Sequence, residues 1–183
     1  MKEERIVKPT GKYKKLLSYQ KADVIYQITY FFCRKFLSQR DRTVDQMIQA
    51  ARSGKQNIVE GCAAAATSAK THIKLLNVAK ASLQELLADY EDYLNVNNQE
   101  IWQHDNIKFV TMRTLGSNHN DAEFFMNIVA TRPPETIANM AIILIHQADY
   151  LLYRQILKAE EDFKKDGGFS ERMTQVRKDK RGF

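Results

Sequence analysis

From residue 16 to residue 37 the chain runs without a glycine or a proline, and Val24, Ile25, Ile28, Phe31, Phe32 and Phe36 recur along it at helical spacing. An unbroken stretch with that period forms a helix. The same scarcity holds throughout, because 183 residues include only 7 glycines and 3 prolines. That is too little turn chemistry for a many-stranded sandwich or barrel, so long helices are expected. With 44% apolar residues, one domain can bury a core without metal or disulfide staples.

The first helix has a second apolar side, formed by Tyr19, Tyr26, Tyr30, Cys33 and Leu37. A helix apolar on two sides must be covered twice, by its own fold and by something else. Asp41 is placed to cap a second helix reaching residue 65, with Val44, Met47, Ile48, Ala51, Ile58 and Cys62 facing inward. Beside them run the small residues Ala50, Gly54, Asn57 and Gly61. A glycine inside a helix costs about 1 kcal/mol relative to alanine, so Gly54 predicts a closely approaching neighbour.

Thr67 or Ser68 caps a third helix over residues 69–96, where Ile73, Leu76, Ala79, Leu83, Leu86, Tyr90 and Leu94 step by three or four. Residues 97–132 read as an elaborated connection, with short helices near 106–115 and 121–129 separated by Gly116, Ser117 and Asn118. Pro133 and Pro134 suit the first turn of a last long helix running to about residue 165. The expected fold is all-α: an up-down-up-down antiparallel four-helix bundle over residues 16–166, with an elaborated connection between helices three and four. A basic N-terminal arm, 1–15, and a basic C-terminal tail, 167–183, flank it.

The formal net charge is +6, unevenly spread. Residues 1–15 carry six basic and two acidic groups, and residues 164–183 carry seven and three. Residues 31–80 hold nine basic against three acidic, whereas residues 81–163 hold five against thirteen. Clustered cations raise the local potential and displace counterions at phosphates, which points to a polyanion; opposite faces of identical chains attracting each other is the other reading. The candidate nucleic-acid-binding residues are Arg34, Lys35, Arg40, Arg42, Arg52, Lys55, Lys70 and Lys74, with Arg172, Arg177 and Lys178 in the tail. Antiparallel helices put the early-helix-two and early-helix-three charges at opposite ends, so an extended strip, or a patch completed by another subunit, is expected rather than one compact patch.

Signals for catalysis are weak. There is no Glu-x-x-His, and His72, His104, His119 and His146 do not pair at three or four residues, so no metal site is expected. Ser53 beside Gly54 lies mid-helix and not in Gly-x-Ser-x-Gly. No glycine-rich phosphate loop is present, and no cofactor is expected. Cys33 and Cys62 lie on apolar stripes and read as packing residues. His146 with Asp149 offers a functional dyad, against which an orienting hydrogen bond or a solvated pair is the favoured reading; Glu60 reads as an ion-paired or hydrogen-bonded group at a helix junction rather than a catalytic carboxylate, and Asn57 as a buried hydrogen-bonding residue. The longest apolar run, residues 140–145, is far short of a membrane span, and a reducing, cytoplasmic setting is expected.

The segment Asp45-Gln46-Met47-Ile48-Gln49-Ala50-Ala51-Arg52-Ser53-Gly54-Lys55-Gln56-Asn57-Ile58-Val59-Glu60-Gly61, with Leu75-Leu76-Asn77-Val78-Ala79-Lys80-Ala81-Ser82-Leu83-Gln84-Glu85 after it, resembles a known family. These are the small four-helix-bundle proteins encoded in intervening sequences of large-subunit ribosomal RNA genes, related to the accessory variability protein of diversity-generating retroelements. The motif positions matched are Ala50, Ser53, Asn57, Ile58, Glu60, Gly61, Ala79, Ser82 and Glu85; Gln49, Gly54, Lys55 and Val59 depart from the pattern. The resemblance covers residues 16–96, with the last long helix matching only by pattern, and implies a homopentameric bundle with a basic surface and, for the retroelement member, binding to nucleic acid (RNA or DNA) and to a reverse transcriptase. The combined expectation is a non-enzymatic, oligomeric nucleic-acid-binding accessory or scaffold protein, with a protein-interaction module lacking nucleic-acid binding as the alternative.

Overall fold

The computed structural model describes residues 12–166, 173–174 and 176–178. Among them the chain is all-helical and contains no strand: a 3-10 turn, Tyr13–Lys15, precedes α1 (Leu17–Phe36), α2 (Arg42–Ala64), α3 (Ala69–Val96), α4 (Ile107–Asn118), α5 (Ala122–Val129) and α6 (Pro134–Asp166). Four helices do not exhaust the chain. The connection between α3 and α6 carries two α-helices of its own, and the last residues of the expected N-terminal arm fold as a turn, with Tyr13 edge-on to Tyr19 at 4.9 Å.

Local chemistry sets the helix starts. The side chain of Asp41 accepts from Thr43 N at 2.9 Å and that of Ser68 accepts from Thr71 N at 3.1 Å. Asn106 and Asp121 cap α4 and α5 in the same way, each satisfying a backbone N–H the first turn leaves free. At the end of α3 the chain reverses through Asn98, whose φ of 52° is left-handed and suits asparagine.

The four long helices touch in sequence: α1 on α2, α2 on α3, α3 on α6, and α6 back on α1. Contacts between late α1 and early α2, such as Cys33 with Met47, and between late α2 and early α3, such as Gly61 with His72, make both pairs antiparallel. Ile25, Ile28, Phe32, Met47, Ile58, Leu76, Leu83, Leu86 and Tyr90 fill the interior with no exposure. Tyr90 is deep enough to need a partner, and its hydroxyl donates to Thr29 Oγ1 at 3.1 Å.

At Gly54 an added Cβ would sit 2.8 Å from Leu83 Cδ2 but 3.6 Å from the Ala79 carbonyl oxygen, so the space is taken by the end of a leucine side chain and not by the backbone of α3. Gly61 differs, since its nearest neighbours would be at ordinary contact of 3.5 Å.

Two elements depart from the sequence expectation. Residues 137–145 of α6 are all buried, as a helix apolar all round requires. Its outer side is covered by α4 and by Trp102, whose backbone N–H donates to Asn139 Oδ1 at 2.8 Å. Gly116 does not separate the short helices but lies buried within α4, where the Gln147 side chain occupies the space a Cβ would need.

Candidate nucleic-acid interface

Tyr26, Tyr30 and Arg34 follow one another at four-residue steps and so share one face of α1. The rings of Tyr26 and Tyr30 lie 6.4 Å apart, and the Arg34 guanidinium sits 5.4 Å from the centre of Tyr30. Next to them Lys35 Nζ lies 5.0 Å from the Phe31 ring. With Met126 of α5 these residues line a groove of about 550 Å³. Aromatic faces flanked by cations are the elements that take a stacked base and its adjoining phosphate.

The groove exists because α1 is covered on its second side by the chain itself. α5 and the 3-10 turn pack there, which answers part of the double covering that the sequence demanded. Cys33, read as part of that second stripe, is instead fully buried against Met47 at 3.8 Å. Burial pushes its thiol up to about 12, so it packs as an inert group. Tyr30 remains 45% exposed at the mouth of the groove.

The candidate cations fall into separate groups. Arg34, Lys35, Arg40 and Arg42 gather around the α1–α2 turn, all exposed. Arg34 Nη1 donates to Gln39 Oε1 at 2.5 Å and Lys35 Nζ to the Ala130 carbonyl at 3.3 Å. Arg40, Arg42 and Arg52 make no ion pair among the described residues. Lys55 is not a free cation: it bridges to Asp23 at 3.1 Å and sits 4.1 Å from the centre of the Tyr26 ring.

Lys70 and Lys74 are exposed near the start of α3. That start lies beyond the far end of α2, about 33 Å from Arg42 at 1.5 Å per residue. Arg177 and Lys178 are helical and exposed, and Arg172 lies outside the described residues.

The motif residues form a seam, not a reaction centre. Ser53 Oγ and Ser82 Oγ are 2.9 Å apart, and Asn57 Nδ2 donates to the Ser53 carbonyl at 2.9 Å and to Ser53 Oγ at 3.1 Å. Gly54 belongs to the same α2–α3 contact, and the Gly61 carbonyl meets His72 Nδ1 at 2.7 Å. Glu60 and Glu85 are exposed and unpaired among the described residues, so the junction bond expected of Glu60 is not made. The His146–Asp149 dyad is not formed either. Asp149 turns to α3, accepting from Gln84 at 3.2 Å and pairing with Lys80 at 3.4 Å.

Among the described residues no group of three or more His, Cys, Asp or Glu side chains is placed to hold a metal ion, and no helix is long and apolar enough to cross a membrane. No family model, curated protein or solved structure matches the chain.

The residues sequence reasoning missed are Met126, which closes the groove from α5, and Lys21 and Gln147, described below. The four-residue spacing of Tyr26, Tyr30 and Arg34 was the available signal for the groove itself.

Proposed function

We propose that this chain is a non-enzymatic nucleic-acid-binding accessory protein, with single-stranded RNA as its ligand, docked on the α1 groove and the cations of the α1–α2 turn. The supporting observation is the run Tyr26, Tyr30, Arg34 beside Lys35, where the exposed Tyr30 ring adjoins the Arg34 and Lys35 charges, which no carboxylate of the described residues neutralises. In the same reading α1, α2, α3 and α6 constitute an up-down-up-down antiparallel four-helix bundle, α4 and α5 elaborate its last connection, and the chain is a member of the ribosomal intervening-sequence family. The antiparallel pairs of long helices and the Ser53–Asn57–Ser82 motif seam support that assignment.

Self-association, as a pentamer by the same resemblance, draws on what remains exposed: Tyr30, Tyr150, Tyr153 and Val78 keep between 39% and 57% of their surface. Light scattering at micromolar concentration tests it, and a monomer rejects it without touching the groove.

The RNA reading is tested by fluorescence anisotropy with a labelled single-stranded RNA. Tyr30→Ala removes one stacking face, worth about 1–3 kcal/mol per base, so affinity should fall by roughly tenfold. Arg34→Glu should weaken binding across sequences. Unchanged affinity in both variants would reject the groove and favour a protein-interaction module.

A further inference from the structure

Beyond the groove, a cavity of about 690 Å³ opens between the start of α1, the second half of α4 and the middle of α6. Lys21 enters it from α1 and is 1% exposed. Its Nζ donates to the carbonyls of Gly116 and His119, the latter at 3.0 Å, where α4 ends. Its ammonium also lies 5.7 Å from the centre of the Phe125 ring of α5.

An ammonium has three donors, and the two carbonyls take two of them. Lys21 forms no ion pair among the described residues, and no carboxylate lines the cavity. The other titratable groups around it are Arg113 from α4, His104 from the preceding connection, and His146 and Tyr150 from α6. None of them supplies a negative charge at neutral pH.

A second group is also incomplete. Gln147 Nε2 donates to the Arg113 carbonyl at 2.8 Å, but its buried Oε1 has no partner. A buried charge without a counter-charge and a buried acceptor without a donor are both unfavourable. Around them Leu17, Phe109, Ile143 and Leu151 provide apolar wall, and the volume suits a small molecule.

We propose that this cavity binds a small carboxylic acid with an apolar body, its carboxylate on Lys21 and its hydrocarbon against Leu17, Phe109 and Ile143. The ion pair supplies the charge the site lacks, and a neutral analogue of the same shape lacks it. The cavity and the RNA groove share no lining residue, so either can fail while the other stands.

The experiment is calorimetric titration of the full chain with octanoate and phenylacetate, each against its alcohol, octan-1-ol and 2-phenylethanol. The acids should bind more tightly than the alcohols. Lys21→Met should weaken the acids by about tenfold, the loss of one charge-assisted contact, and weaken the alcohols by clearly less. In the native chain, carbon-13 NMR of the Lys21 side chain should show its midpoint, about 8 without ligand, rising when the acid is added. Acids that bind no better than alcohols, or a Lys21 midpoint indifferent to them, would overturn the proposal. If Lys21→Met does not fold, the midpoint in the native chain decides.

Discussion

Lys21 and Lys55 sit on the two sides of α1 and meet opposite fates. Lys55, half-buried, finds the Asp23 carboxylate at 3.1 Å and the Tyr26 ring. Lys21, buried, finds only two backbone carbonyls and a phenyl ring. One cation is neutralised by the fold, and the other is held by dipoles alone. Burial pushes Lys21 down to about 8, whereas the surface cations of the α1–α2 turn keep solvent around them. A count of basic residues therefore says little about which charges are free for a ligand; the partner each one meets decides it.

The largest effect should come from inverting the buried charge. Lys21→Glu sets a carboxylate against two carbonyls and should destabilise by about 3–5 kcal/mol, measured by urea denaturation. A loss under about 1 kcal/mol would mean that Lys21 can swing to solvent, and the contrast with Lys55 would break.

The pH dependence is smaller and more specific. Because its folded value of about 8 lies below the unfolded one, Lys21 holds fewer protons in the folded chain across that interval. Stability from this group therefore rises with pH from about 8 to about 10.4. Cys33 and Tyr90, raised by burial, act in the opposite sense at alkaline pH, so the comparison must be made against Lys21→Met. The native chain should gain about 1 kcal/mol relative to that variant between pH 7 and pH 9. Parallel curves would show that Lys21 titrates as an exposed lysine.

Lys55→Ala should cost no more than about 1 kcal/mol, as expected of a solvent-screened pair. Asp23→Asn sharpens the comparison from the other side. It releases Lys55 toward phosphate and should deepen the salt dependence of RNA binding by about 0.7 in log–log slope. An unchanged slope would separate Lys55 from the interface.

Much of the helical layout was legible because it is written locally. The caps at Asp41 and Ser68 and the apolar steps of α3 are properties of neighbouring residues, and Gly54 announces its neighbour by its cost. What long-range packing decides was not legible. Gly116 reads as a breaker until Gln147 from α6 fills the space beside it. The second side of α1 reads as open until α5 and the 3-10 turn cover it. Lys21 and Asp23 lie two residues apart in sequence, yet such positions on a helix point apart, and Asp23 pairs with Lys55 instead. The cations of the candidate interface were visible as residues, but their division into paired, clustered and distant groups required the fold.

The nucleic-acid reading is tested most directly by the salt dependence of single-stranded RNA affinity. With Arg34, Lys35, Arg40 and Arg42 as the contacting cations, the expected log–log slope is near −2.8, from about 0.7 per phosphate, and should become shallower in a variant reversing Arg34 and Arg42. Absence of binding at low salt, or an affinity indifferent to salt, would contradict it.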